Sequence, residues 1–165
     1  MSILQLVPKT DEVLRTPTEK FDFNNPPVDP SQLAIDLSET MLSLDGVGLA
    51  APQVGLPYRV FVMRTNPIYT CFNPKLVDVS HNVTLTLDEG CLTFPNLVLK
   101  ITRPRIIKMR FTLPNGDTRT EKFHDLTARI FQHELDHLDG VLFTSKVSRI
   151  SLEIAEKKAR KINRD

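Results

Sequence analysis

Residues 132–140 read QHELDHLDG. His133 and His137 stand four apart, so on a helix both imidazoles leave the same face. Glu134 follows the first directly, which makes the pattern H-E-x-x-H. That spacing lets two ring nitrogens reach one metal ion while the carboxylate reaches a water on it. The implied chemistry is hydrolysis, with the ion acidifying water and Glu134 moving the proton. Two core histidines hydrogen-bonded to neighbours are the bland alternative, because so short a pattern also arises by chance. Leu126 and Ile130 precede the pair on one stripe, which is expected to face inward.

A hydrolytic site needs a third ligand and an open position. LDEGCLTF, residues 87–94, offers Cys91, a thiol after a glycine at the end of a strand-like run. The other cysteine, Cys71, sits inside an apolar run and reads as a small buried hydrophobe. GVGLAAPQVG, residues 46–55, has almost no side-chain bulk and reads as a loop. Gly46, Gly48, Ala50 and Ala51 would let backbone approach a ligand closely. Gln53 by itself reads as a solvated loop residue. The G-x-G spacing is not a phosphate motif, since no strand precedes it and no helix start follows.

The elements that must position these residues are signalled nearby. Asp29 and Pro30 open a helix running to about Leu44, with Leu33, Leu37, Met41 and Leu44 on one stripe and Gly46 as a left-handed stop. Residues 1–28 read as an ordered, Pro-rich arm. Strand-like runs follow at 58–63, 71–80, 83–87 and 97–101. PNGD at 114–117, between RIIKMRFTL and TRTEKFH, is a strong hairpin signal. Ile107, Met109, Phe111 and Leu113 alternate, so one face there is buried. The H-E-x-x-H helix should start with Asp125 as its cap and stop at Gly140. A short VLF strand and a terminal helix over 148–163 complete the chain, the helix with Glu153–Lys157 and Glu156–Arg160 pairs. The fold class is α+β: antiparallel or mixed sheets packed around a central metal-binding helix, with an N-terminal and a C-terminal helix.

At 165 residues with 41% hydrophobic and 25% charged side chains, the chain is expected to be one globular domain, 1–165. A net charge of +1 gives no argument for nucleic acid or a membrane. No apolar run approaches a membrane span, and no secretory leader is read at the N-terminus. Two cysteines are few for a secreted scaffold, so a reducing cytoplasm is expected. In that setting a working cysteine serves a metal or catalysis.

Three separated motifs, GVGLAAPQ (46–53), EGCLT (89–93) and QHELDHLDG, make the sequence resemble peptide deformylase. The likeness runs from about Val13 to Phe143, and residues 144–165 match loosely. The one departure is Thr93, where the family motif more often has Ser. The resemblance implies removal of the N-formyl group from N-formylmethionyl peptides during translation, with release of formate. Cys91, His133 and His137 would hold the ion, with Glu134 as acid and base. By resemblance, the Gln53 side chain and the Leu92 backbone N–H would donate to the developing oxyanion. The peptide would add as a short strand on Val47 and Gly90, beside Gly48. Val47, Leu126 and Ile130 are candidates for the methionine pocket, with simple core packing as the alternative for each. Glu89 and Arg103 are expected as a buried supporting pair, with Asp136 as another partner for Arg103; a surface pair is the competing reading.

One divalent ion is implied. Cys/His/His suits Zn²⁺ and also accepts Fe²⁺, Co²⁺ or Ni²⁺, and the resemblance favours Fe²⁺. The tail KKARKINR is basic, so ribosome contact competes with a solvated helix face. A monomer is expected. Two other functions fit H-E-x-x-H: a zinc peptidase cutting internal amides, and a metal-stabilised binding domain. A closed, four-coordinate site would mark the last, and only three convincing ligands are present.

Overall fold

The computed structural model describes residues 2–164. Helix α1 spans Pro30–Ser43, and Asp29 accepts the Ser31 N–H at 3.0 Å. Leu33, Leu37 and Met41 are buried, as the stripe requires. The left-handed residue after it is Asp45, at φ 54°, not Gly46. The small-residue run is also not a loop throughout. Gly48–Ala50 form strand β1, and Ala51–Val54 form a 3-10 turn closed by Gly55 at φ 82°.

β1 pairs antiparallel with β2 (Val60–Met63), β2 with β3 (Tyr69–Val79), β3 with β6 (Ile106–Thr112) and β6 with β7 (Thr118–His124). They make one five-stranded sheet in the order β1-β2-β3-β6-β7. The β6–β7 turn carries the Asn-Gly pair, with Gly116 at φ 93° and Asn115 Oδ1 accepting the Asp117 N–H. β4 (Thr84–Cys91) and β5 (Phe94–Pro104) form a separate antiparallel hairpin. All pairs between these strands are antiparallel, so of the two sheet types expected the antiparallel one is realised.

Helix α2, Asp125–Leu138, contacts both sheets. Phe131, Leu135 and Leu138 join Phe61, Met63, Cys71, Met109 and Phe111 in the main core. Asp125 does not cap it: no side chain does, and Asp125, at φ 56°, instead accepts from Arg105 Nε at 2.6 Å. The helix ends at Gly140 as expected, φ 73°; a Cβ there would meet the Arg15 carbonyl oxygen at 2.7 Å. The expected VLF strand at 141–143 does not form; Val141 and Leu142 are irregular and Phe143–Lys146 make a 3-10 turn. α3, Arg149–Asn163, starts where Ser148 accepts the Ser151 N–H. Its Leu152, Ala155 and Ala159 pack with Leu97, Leu99 and Ile101 of β5. Its ion pair is Arg149–Glu153, at 3.2 Å; the two expected pairs are not formed among the described residues. No helix there is long and apolar enough to cross a membrane.

Candidate metal centre and substrate cleft

Period two places the hairpin's contribution. On β4, Leu85, Leu87, Glu89 and Cys91 alternate inward; on β5, Leu97, Leu99, Ile101 and Arg103 do. At its closed end the ladder breaks: Glu89 pairs with Leu99, and Cys91 with Phe94. Gly90 therefore has no ladder partner, and the extra residues, 95–98, lie opposite it on β5. Such breaks re-aim side chains, here Cys91 toward α2.

The Cys91 sulfur lies 3.3 Å from His137 Nε2, and the donor atoms of Cys91, His133 and His137 all fall within 4.8 Å of one another. A divalent transition metal fits this set. One thiolate and two imidazoles suit it chemically, and a 3.3 Å separation is near that of two tetrahedral ligands about 2.0–2.3 Å from one ion. His133 is oriented from behind: its Nδ1 lies 2.9 Å from Glu89 Oε1, which leaves Nε2 for the centre. Glu89 is in turn gripped by Arg103, at 2.6 and 3.0 Å, and by Arg129. Asp136 takes the remaining arm of Arg103 at 2.9 Å, so the expected alternatives for Arg103 are both realised. Burial disfavours an ionised Glu89, but bonds from His133 and Arg103 outweigh it and hold the carboxyl at about 2.

Glu134 is buried, and its Oε2 has no partner. Burial pushes its carboxyl up to about 7, within reach of proton transfer near neutrality. Burial and the neighbouring His133 hold His137 down at about 3. For His133 burial again opposes the cation, but hydrogen bonding with Cys91 and Glu89 lifts it to about 10. A divalent cation held among the donors would act the other way on His133 and Glu134, requiring a neutral imidazole and drawing the carboxyl down, and would require of His137 the neutral ring that burial already favours.

The small-residue segment serves these side chains more closely than it serves a ligand. A Cβ on Gly48 would stand 2.6 Å from Glu134 Oε1, and one on Gly46 would stand 2.7 Å from Leu92 Cδ1. Gln53 is buried too, not solvated. Its Oε1 accepts the Ala50 N–H at 2.9 Å, and its Nε2 faces Thr93 Oγ1 at 3.1 Å and Cys91 Sγ at 3.5 Å.

A cleft of about 590 Å³ opens over the centre. Gln53, Glu89, Gly90, Cys91, Leu92, His133 and Glu134 reach it, with Val47, Gly48, Leu126 and Ile130 on its walls. His137, Arg103 and Asp136 do not line it. Leu126 corrects the expected inward stripe: it is 58% exposed, as Val47 is at 56%, so both are rim and not core. Ile130 is buried and serves wall and core together. The Val47 carbonyl accepts the Arg64 N–H at 2.8 Å. Arg129 went unnoticed in the sequence. Its one signal was position: a charged residue four before His133, on the histidine face.

The sequence model of the family described as polypeptide deformylase matches residues 3–153. The chain belongs to that family. It is 38% identical to a peptide deformylase of Microchaete diplosiphon, over 93% of this chain and 83% of that one. With peptide deformylase 1 of Bacillus anthracis the identity is 42%, over 90% and 95%. Among solved structures, the peptide deformylase from Synechococcus elongatus in complex with actinonin superposes with a TM-score of 0.86 at 35% identity, over 95% of this chain and 86% of that chain. The enzyme from Legionella pneumophila gives 0.88 at 27%, over 99% and 96%. The chain is therefore a metal-dependent deformylase, and the peptidase and binding-domain readings of H-E-x-x-H give way.

Proposed function

We propose that this deformylase acts on the N-formylmethionyl end of nascent peptides, with Cys91, His133 and His137 holding one divalent ion, Fe²⁺ in the cell. The observation that supports this reading is the triangle of three ligand atoms beside a buried carboxylate whose Oε2 is unpartnered. When bound, the ion supplies a Lewis acid and makes water a nucleophile near neutral pH. Glu134 takes a proton from the attacking water and returns it to the departing amine nitrogen, as the formyl C–N bond breaks to give formate and a free N-terminus. Gln53 Nε2 and the Leu92 N–H donate to the formyl oxygen as charge develops. The peptide lies along the exposed backbone of Val47 and Gly90, with Gly48 allowing close approach, and its methionine side chain rests between Val47, Leu126 and Ile130. Glu89, Arg103 and Asp136 hold His133 in place.

Residues 1–165 would act as one unit, since α3 shares a packed cluster with β5, and that unit would work as a monomer in the cytoplasm. Its basic outer face would contact the ribosome. The deciding experiment supplies formyl-Met-Ala-Ser, acetyl-Met-Ala-Ser and an unformylated peptide to anaerobically purified protein. Stoichiometric formate from the first substrate alone is expected. Cleavage of an internal bond, or no formate, would overturn the reading.

A further inference from the structure

The Gln53 amide is pinned at its oxygen end. A backbone N–H can only donate, so the 2.9 Å contact from Ala50 N identifies Oε1 and fixes the flip of the amide. The NH₂ end must then point the other way, where Nε2 meets Thr93 Oγ1 at 3.1 Å and the softer Cys91 sulfur at 3.5 Å. Gln53 and Thr93 are both buried, so their contact with each other is sheltered from water. Thr93 lies in the two-residue turn between Cys91 and Phe94, on backbone fixed by the same hairpin as Cys91. Its β-branch restricts χ1, which keeps the hydroxyl on station.

We propose that Thr93 is a positioning residue. Its hydroxyl takes one Nε2 hydrogen and so aims the other at the space above Cys91, where the formyl oxygen gathers charge. This rests on the reading of Gln53 as a donor to that oxygen. An amide NH₂ is planar, so pinning the oxygen and one hydrogen sets the direction of the second. Without the hydroxyl, the NH₂ end keeps only the long, soft contact to the Cys91 sulfur, and the amide swings about the Ala50 contact. A donor that must be reoriented during the reaction stabilises the transition state less than a preset one.

The test compares Thr93→Val and Thr93→Ser in the metal-loaded enzyme, alone and in a Gln53→Ala background. Thr93→Val should keep one metal per chain, lose about tenfold in kcat and change KM by less than about twofold. Thr93→Ser should stay within about threefold of the parent, because it restores the hydroxyl but not the χ1 restriction. In the Gln53→Ala background Thr93→Val should cost nothing further. A readout apart from turnover is the sulfur-to-metal charge-transfer band of the cobalt form. It should move in Thr93→Val and stay in Thr93→Ser, since the Nε2 hydrogen beside Sγ is released only in the former. Unchanged kcat in Thr93→Val, equal losses in both variants, or a full loss retained without Gln53 would each overturn the proposal. Thr93→Ala replaces Thr93→Val throughout if the latter does not fold. Failure of the parent enzyme to release formate would instead overturn the substrate reading.

Discussion

The two sheets of this molecule both meet α2, and they meet it differently. The five-stranded sheet offers Phe61, Met63 and Met109 to the helix and buries its one cysteine among them. The hairpin offers Glu89, Cys91 and Arg103 from the same alternating pattern, and breaks its ladder beside the second cysteine. Cys71 is wholly buried, and desolvation raises its thiol well above the ordinary value of 9.0. Cys91 is partly exposed and 3.3 Å from an imidazole nitrogen. One side chain is inert packing and the other a candidate ligand, and the neighbours alone make the difference.

The sharpest way to break this contrast is to exchange the roles. Cys91→Ala, His133→Ala and His137→Ala should each lose metal and fall to background turnover, while Cys71→Ser keeps its metal. Elemental analysis beside formate release decides it, and a loaded, active Cys91→Ala protein would end the site as drawn. Next in size is Glu134→Gln. The amide is nearly isosteric and cannot accept the proton at neutral pH, so a loss of at least ~10²-fold in kcat is expected with metal content intact. Near-normal turnover would remove Glu134 from the proton path.

Gly48→Ala tests the same carboxylate from the other side. With a Cβ placed 2.6 Å from Oε1, Glu134 must shift, and a displacement on that scale should cost about tenfold or more in kcat. A crystal structure with Glu134 unmoved and kcat unchanged would refute it. Arg103→Leu probes the hairpin's ion cluster. Removing one partner of a buried pair costs about 3–5 kcal/mol, read as a drop in the midpoint of chemical denaturation. A loss below ~1 kcal/mol would place the cluster with surface pairs. The smallest effect belongs to Cys71. In the native enzyme its thiol should resist alkylation up to and above pH 9.0 and react only on unfolding.

α1, α2 and Cys91 were legible through local signals: the Asp29 cap, the four-residue spacing of His133 and His137, the Gly140 stop and the glycine before Cys91; α3 forms over the expected residues although the two ion pairs expected along it do not. The Glu89–Arg103 pair was named in the sequence but not placed by it: the strand-like runs at 83–87 and 97–101 stop short of both residues, and only the full lengths of β4 and β5 put them on one inner face. β1 was not legible, because Gly48–Ala50 lacks the branched side chains that mark a strand, and its pairing with β2 is tertiary. Leu126 was misplaced for a related reason. An apolar stripe says that a residue avoids water in some complex or core, and a cleft wall satisfies that as well as a core does. Arg129 hid because a charged residue in a helix ordinarily faces solvent; only the three-dimensional position of Glu89 shows why it turns inward.

The tight packing at Gly46 and Gly48 bears on how this enzyme can escape an inhibitor. Along that edge the cleft is built of backbone, and any side chain added at either glycine collides with Leu92 or with Glu134. A compound anchored there through peptide-group hydrogen bonds would meet resistance mainly from Val47 and Leu126, whose exposed side chains are free to vary. Escape by substitution at the glycines would be self-defeating, because the change that evicts the drug would also displace Leu92 or Glu134, the groups proposed to act on the substrate.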